Sequence, residues 1–182
     1  KGTGGSKGTG GSKGTGGSKG TGGSHGDGPD DGSVYKVESG SEIEGGKGDD
    51  TFKMKSTDFD EIDGGEGRDT LDLGGLVSND IIDFNGLSDK VDNMEVLKLG
   101  KYDEVKLSIT DVLEITDDNN ELVINGNDSN NVKIDVGNDP DQWHDNGQKE
   151  MDGTTYNEYT TTAGSSEVTL LVEQSVNVDD IV

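Results

Sequence analysis

The sequence of 182 residues contains no cysteine. This absence excludes a disulfide framework, a thiolate metal site and a cysteine nucleophile. Apolar residues are also scarce, at 26% hydrophobic and 4% aromatic, against roughly 45–50% apolar in an average globular protein. A large conventional core is therefore not expected. No apolar run approaches the ~18 residues that a transmembrane helix needs, so we expect no membrane span.

Basic residues are few, since 15 Lys and Arg stand against 39 Asp and Glu, for a formal net charge of -24. Four of the lysines lie in residues 1–24, which carry no acid, so the rest of the chain is more acidic still. Such a chain repels itself unless cations neutralise it. The acidic surface excludes nucleic acid as a partner, because phosphates need basic side chains, and it argues against anionic membranes.

The N-terminal segment is of low complexity. Residues 1–24 are four copies of KGTGGS, and residues 25–33 continue with glycine and aspartate. Nothing in it can be buried, so we predict a flexible, disordered Gly-rich linker over residues 1–33, either engineered or natural. The chain starts inside a repeat and without an initiator Met, so it is expected to be a fragment.

Two nonapeptides follow the linker. Residues 45–53 read GGKGDDTFK and residues 64–72 read GGEGRDTLD, so both fit G-G-x-G-x-D-x-U-x, where U is a large apolar residue. This is the calcium-binding pattern of the parallel β-roll. Glycine lets the backbone take positive φ and turn its carbonyls toward an ion, and aspartate supplies a hard carboxylate oxygen. Phe52 and Leu71 should then point into the core.

The first copy starts at Gly45 and the second at Gly64, which is close to two nonapeptide lengths further along the chain. We therefore predict that they stack on the same side, with Asp50 and Asp69 on one shared calcium ion. The half-turn between them, residues 56–63, has lost its glycines but keeps Asp60 and Ile62 at the aspartate and apolar positions. Residues 41–44 form a degenerate half-turn with no ligand. The predicted calcium ligands are Gly46, Lys47, Gly48, Asp50, Asp60, Gly65, Glu66, Gly67 and Asp69.

The remaining pattern is typical of short strands bounded by Gly, Asn or Asp. Strands are predicted at residues 34–37, 81–84, 95–99, 105–107, 122–124, 132–136 and 168–172. One helix is predicted at residues 108–115, with Ser108 or Thr110 as its cap. Residues 137–153 are predicted to be a long polar loop. The acidic stretches 117–120 and 125–128 are interpreted as turns, with a second ion site as the alternative. The predicted fold class is all-β.

These features resemble the repeats-in-toxin (RTX) family. Residues 45–72 resemble its calcium repeats. The C-terminal part resembles a module that ends very large bacterial adhesins exported by type I secretion. The matching pieces are residues 93–99, 107–113, 117–126, Trp143, Tyr156, Tyr159 and 170–172. The resemblance implies a calcium-bound parallel β-roll, or β-solenoid, over residues 34–75. A C-terminal β-rich capping and secretion-signal module over residues 76–182 would follow.

The same resemblance implies Ca²⁺ as the cofactor, a type I exporter as the partner, and a monomer outside the cell or on the bacterial surface. The uncleaved export signal would be the tail VNVDDIV, residues 176–182. The predicted function is a calcium-dependent folding module and C-terminal secretion signal of an adhesin. Two alternatives stay open: the RTX domain of a secreted protease or lipase, and a surface module that binds glycans through Trp143.

No catalytic role is expected. His25 lies in the linker and His144 in a polar stretch, so neither completes a catalytic triad. The carboxylates of Asp139, Asp141 and Asp145 could pair as in a glycosidase, but nothing in the sequence around them would raise a pKa. Trp143 is expected to anchor the terminal cap unless it serves as a sugar platform.

Overall fold

The computed structural model describes residues 32–76, 81–100, 104–135 and 143–179. Strands make up 55% of these residues, and one α-helix accompanies them, so the chain is predominantly β, as predicted. Nearly all of the predicted linker lies outside the described residues. The strands are β1 Val34–Val37, β2 Glu42–Lys47, β3 Thr51–Met54, β4 Glu61–Glu66, β5 Thr70–Asp72, β6 Ile82–Asp83, β7 Val91–Asp92, β8 Val96–Lys98, β9 Glu104–Ser108, β10 Glu121–Asn125, β11 Asn131–Asp135, β12 His144–Met151, β13 Thr154–Ala163, β14 Ser166–Glu173 and β15 Asn177–Asp179.

These strands form three sheets. The largest has the order β1-β3-β5-β8-β10-β14-β13-β12, and its first six strands run parallel. A second parallel sheet is β2-β4-β7, and a third is β15-β11-β9-β6. Strands that are adjacent in a parallel sheet are separated in sequence by strands of another sheet. Parallel pairing requires such crossover connections, so the chain returns repeatedly to the same sheet.

The register places the two nonapeptides side by side. Thr51 pairs with Thr70 in the first sheet, and Gly46 pairs with Gly65 in the second, so the shift between the copies is the same in both sheets. Equivalent positions of the two copies are therefore neighbours, as their spacing predicted. The apolar residues Phe52 and Leu71 are fully buried beside each other.

One hydrophobic core runs through the described chain. It includes the predicted inward residues Phe52, Ile62 and Leu71, and it continues to Val176 near the end of the described chain. Burying side chains of this size contributes about 1.5–3 kcal/mol each. The core crosses the expected boundary at residues 75 and 76, because β5 pairs directly with β8.

The predicted helix is confirmed as α1, Ile109–Ile115. Ser108 is its N-cap, since the Ser108 Oγ accepts the Asp111 N–H at 3.2 Å and the Asp111 carboxylate accepts the Ser108 N–H at 2.7 Å. This reciprocal pair is a capping box. Two short 3₁₀ segments, Leu73–Gly75 and Ser88–Lys90, also occur. No helix in the described part of the chain has the length and apolarity to span a membrane.

The prediction of a polar loop at residues 137–153 is wrong for its second half. Strand β12 occupies His144–Met151 and pairs antiparallel with β13. The two strands are joined at Asp152 and Gly153, which both have positive φ, at 52° and 81°. That conformation matches the twist of a tight hairpin and favours Asp-Gly. Most side chains of β12 are exposed, so backbone pairing rather than burial holds this strand in place.

The hairpin of β12 and β13 is accompanied by a second apolar cluster. This cluster contains Val96, Val123 and Leu171 with Tyr156 of the hairpin, and it is separate from the main core. Lys149 of β12 also lies 3.6 Å from the Glu121 carboxylate of β10. The central strands β8, β10 and β14 are therefore covered on both faces.

Candidate calcium site

The nonapeptide loops lie in close backbone contact. A Cβ added to Gly65 would collide with the carbonyl oxygen of Gly46, and one added to Gly67 would stand 2.5 Å from that of Gly48. Gly46, Gly48 and Gly65 also have positive φ, at 109°, 91° and 91°. Either condition favours glycine over any residue with a Cβ, so these positions suit glycine, as the pattern predicted.

Three acidic side chains form a column along these loops, which we call the carboxylate column: Asp50, Asp69 and Glu95. The backbone N–H of Ser33 donates to Asp50 Oδ1, and that of Asp50 donates to Asp69 Oδ1 at 2.7 Å. The N–H of Asp69 in turn donates to Glu95 Oε2 at 2.6 Å. Each carboxylate is thus bonded to the backbone of the neighbouring segment. Ser33, assigned to the linker by sequence, belongs to this array.

The other carboxylate oxygens of Asp50 and Asp69 have no hydrogen-bond partner among the described residues. Both Oδ2 atoms are buried, in residues that are only 1% and 0% exposed. A buried carboxylate oxygen without a donor is costly, so a native structure normally supplies a partner. An ion is one such partner, because Ca²⁺ binds carboxylate oxygens directly.

Each free oxygen and a carbonyl oxygen of the following segment border the same space beside a glycine. A Cβ added to Gly45 would collide with the Gly64 carbonyl oxygen and stand 2.5 Å from Asp50 Oδ2. A Cβ added to Gly64 would collide with the Asn93 carbonyl oxygen and stand 2.7 Å from Asp69 Oδ2. Two convergent oxygens repel each other, and a hard cation between them removes that repulsion. The absence of a side chain keeps both places open.

The electrostatics of the column also favour a cation. The pKa of Asp69 is raised to about 6, mainly by burial; the hydrogen bond from the Asp50 backbone opposes this rise, and the charges of Glu95 and Asp50 add to it. Burial likewise raises the pKa of Glu95, with a contribution from the charge of Asp117. Ionised carboxylates are therefore disfavoured here unless a positive charge is bound.

The other predicted ligands lie in different surroundings. Asp60 is exposed, and its N–H donates to the Ser41 carbonyl at 2.8 Å, so its carboxylate is not part of the carboxylate column. The side chains of Lys47 and Glu66 form an exposed ion pair at 3.5 Å, which leaves only their backbone carbonyls as ligands. Among the described residues, no three His, Asp or Glu side chains are grouped to hold a metal ion. Any site here would depend on backbone carbonyls together with Asp50 and Asp69.

Two contributors were missed by sequence reasoning. Glu95 occupies the third place in the column, and Asn93 offers the carbonyl oxygen beside Asp69. Neither lies in a nonapeptide. The only local signal was weak: Asn93 has a φ of 54°, a left-handed conformation that asparagine tolerates better than most residues.

The remaining candidate residues that the structure describes are not brought together with one another. His144 and Asp145 are exposed, and Asp145 Oδ1 accepts the Gly147 N–H at 2.8 Å. Trp143 is only 5% exposed, so its ring is packed in the core rather than presented to a sugar. Asp117 closes its own turn by accepting the Asn119 N–H at 2.8 Å. The predicted candidates His25, Asp139 and Asp141 lie outside the described residues.

No protein family, curated protein or solved structure matches this chain. Its function must therefore be inferred from the site and the fold.

Proposed function

We propose that this chain is a calcium-dependent folding module and C-terminal secretion signal of an RTX-like adhesin, in which the parallel strands form a calcium-bound β-roll. One observation carries the proposal. Two copies of G-G-x-G-x-D bury an aspartate oxygen that has no hydrogen-bond donor among the described residues and that borders the same glycine as a carbonyl oxygen of the next segment. That combination of ligands suits a hard divalent cation.

The residues that would hold calcium follow from those contacts. Asp50 Oδ2 would act with the Gly64 carbonyl, and Asp69 Oδ2 would act with the Asn93 carbonyl. Asp50 Oδ2 and Asp69 Oδ2 border different spaces, so we propose two calcium ions. The spacing of the nonapeptides had predicted one shared ion. The backbone carbonyls of residues 46–48 and 65–67 remain candidate ligands. Bound calcium would neutralise the carboxylates and link each segment to the next.

Calcium would act as a switch for folding. Extracellular calcium modules have affinities of roughly 10⁻⁴–10⁻³ M, so the sites would be empty in a low-calcium cytosol. The net charge of -24 would then favour an expanded chain that can pass through a secretion channel. Outside the cell, calcium at about ten times Kd would add ~1.4 kcal/mol of stability per site. For a chain poor in apolar residues, such an increment decides the folding equilibrium.

The proposed export signal, residues 176–182, would be recognised by the exporter before the chain folds. Its residues Asn177–Asp179 form β15, which pairs with β11, and Asn131 Nδ2 donates to Asp179 Oδ2 at 2.7 Å. A tail held in a sheet is not available as a free segment. An exporter would therefore bind it while the chain is unfolded, which agrees with calcium acting only after export.

Circular dichroism of the full chain with calcium, with magnesium and with chelator tests the proposal. We expect strand signal and a cooperative melt with calcium, and loss of both with chelator or magnesium alone. Equilibrium dialysis against calcium should give two ions per chain. An unchanged spectrum and melting temperature in chelator would contradict the calcium switch.

A further inference from the structure

The sequence contains three Asn-Gly pairs, at residues 85–86, 125–126 and 146–147. Asparagine is chemically labile, and a following glycine increases the lability because no Cβ hinders the approach of its backbone nitrogen to the asparagine side chain. The three pairs share this intrinsic chemistry. Differences between them in the folded protein must come from their surroundings.

The pair Asn125-Gly126 is held at both reacting groups. The Tyr156 hydroxyl donates to Asn125 Oδ1 at 2.8 Å, and the Gly126 N–H donates to Glu173 Oε2 at 3.0 Å. Asn125 is also the last residue of β10. Attack of the Gly126 nitrogen on the Asn125 side chain would break both hydrogen bonds.

The pair Asn146-Gly147 is restrained in the same way. Asn146 Nδ2 donates to Thr160 Oγ1 at 2.9 Å, and the Gly147 N–H donates to Asp145 Oδ1 at 2.8 Å. Both residues lie within β12, where Gly147 pairs with Glu158 of β13 and Asn146 stands at an irregularity of the register between Asp145 and Gly147. This pair is exposed, but its hydrogen bonds still restrain the two groups that would react.

The pair Asn85-Gly86 lacks these restraints. It lies in an exposed turn between β6 and the 3₁₀ segment Ser88–Lys90. In the described structure, neither the Asn85 side chain nor the Gly86 N–H forms a hydrogen bond, and only the Asn85 backbone N–H is bonded, to Asp83 Oδ1 at 3.0 Å. Gly86 has a φ of 87° and open space around it. Gly147 shares that openness, so the hydrogen bonds distinguish the two pairs.

We propose that Asn85 is a site of spontaneous deamidation in the folded protein. The Gly86 amide nitrogen loses its proton and attacks Asn85 Cγ, forming a C–N bond, and the side-chain nitrogen leaves as ammonia. Water then opens the cyclic imide at either carbonyl carbon, giving aspartate or isoaspartate. The net reaction consumes one water, releases one ammonia and requires no oxidant or enzyme.

The modification would add charge to an acidic region. Asn85 and Gly86 line an open cavity of about 440 Å³ together with Asp83, Asp89, Asp111 and Glu114. Lys106 also lines it and lies 3.6 Å from the Asp83 carboxylate. A new carboxylate adds repulsion there, and isoaspartate lengthens the backbone beside β6, an edge strand. The modified protein should therefore melt at a lower temperature than the fresh protein.

The test ages the full calcium-loaded chain at mildly alkaline pH, after circular dichroism shows that it is folded. Tryptic peptides are then analysed by mass spectrometry, with fragment ions locating each conversion of amide to acid. The three Asn-Gly pairs in one sample serve as mutual controls. Asn85 should convert several-fold faster than Asn125 and Asn146. In concentrated urea the three rates should converge, because the structural restraints are gone.

Equal or faster conversion of Asn125 or Asn146 in the folded protein would overturn the proposal, as would the same order of rates in urea. The variant Asn85→Gln gives a second check, since glutamine forms the larger cyclic imide far more slowly. It should lack the acidic species that accumulates first on ion exchange. Persistence of that species at an unchanged rate in Asn85→Gln would also overturn the proposal.

Discussion

The double substitution Asp50→Asn, Asp69→Asn separates calcium binding from the rest of the structure. Asparagine keeps Oδ1, which accepts the neighbouring backbone N–H in both aspartates. It replaces the free Oδ2 with an NH₂ group beside a carbonyl oxygen. The variant therefore retains the hydrogen bonds of the carboxylate column and loses the charges and the proposed calcium ligands of Asp50 and Asp69.

The expected magnitude follows from linkage. Two sites at ten times Kd contribute about 3 kcal/mol together. For a domain of this size, 1 kcal/mol shifts the melting temperature by about 2–4 °C, so the loss of both ions alone should lower the melting temperature by roughly 6–12 °C at this calcium concentration. Removal of the buried charge should offset part of that drop. In chelator the sign reverses. Burial holds the pKa of Asp69 at about 6, so removing that charge at neutral pH should stabilise the calcium-free fold by on the order of 1–3 kcal/mol.

The assay is thermal melting followed by circular dichroism across a calcium titration. The control is Asp118→Asn, Asp128→Asn, which removes the same charge from two exposed turn residues. Its calcium midpoint should match that of the parent chain. If both double variants give one titration curve, calcium acts as a diffuse counter-ion and the coordinated site is refuted.

Three further predictions concern the room for a side chain at Gly45, the pH dependence of calcium binding, and export through the C-terminal tail. Gly45→Ala should lower both the melting temperature and the calcium affinity, because its Cβ would collide with the Gly64 carbonyl oxygen. The control is Gly147→Ala, at a position that has open space and a positive φ. It should lower the free energy of unfolding by only about 1 kcal/mol. The pKa of Asp69 in the folded chain is raised to about 6. The calcium-free fold should therefore lose stability as the pH rises from the pKa of Asp69 in the unfolded chain through 6, and calcium affinity should rise over the same pH range. Equal affinities at pH 5.5 and pH 7.5 by isothermal titration would contradict this. Deletion of residues 176–182 should abolish export of a reporter fusion by a type I exporter, and undiminished export would remove the tail from the signal.

Local patterns made the first part of the fold predictable. The nonapeptides specify their own turns, and one constant shift between the two copies sets their register in both sheets. The positions of Phe52, Leu71, Asp50 and Asp69 followed from that period alone. Strand segments with bounded apolar runs, such as β10 and β14, were also predictable, because burial requires apolar side chains.

Features that depend on long-range register were not predictable. The next parallel pairing, of Thr70 with Val96, follows a longer shift than the pairing of Thr51 with Thr70, so the period is broken where Glu95 enters the column. Strand β12 carries polar, exposed side chains and no alternation, so only its pairing with β13 defines it. Asp60 matched the pattern in sequence, yet it is exposed at a bend, where its backbone N–H donates to the Ser41 carbonyl.

The doubly covered central strands differ from the early strands in how their side chains are buried. In β3, only Phe52 and Met54 are buried and Lys53 faces solvent, whereas residues 122–124 and 170–172 are buried without interruption. The β12–β13 hairpin supplies that second layer for the later strands. For the early strands, the proposed ions would replace the missing layer. The stabilising contributions would then change along the chain, from ionic at residues 32–76 to apolar beyond them. Unfolding on withdrawal of calcium would therefore begin at residues 32–76, and amide protons near residues 122–124 would be the last to lose protection.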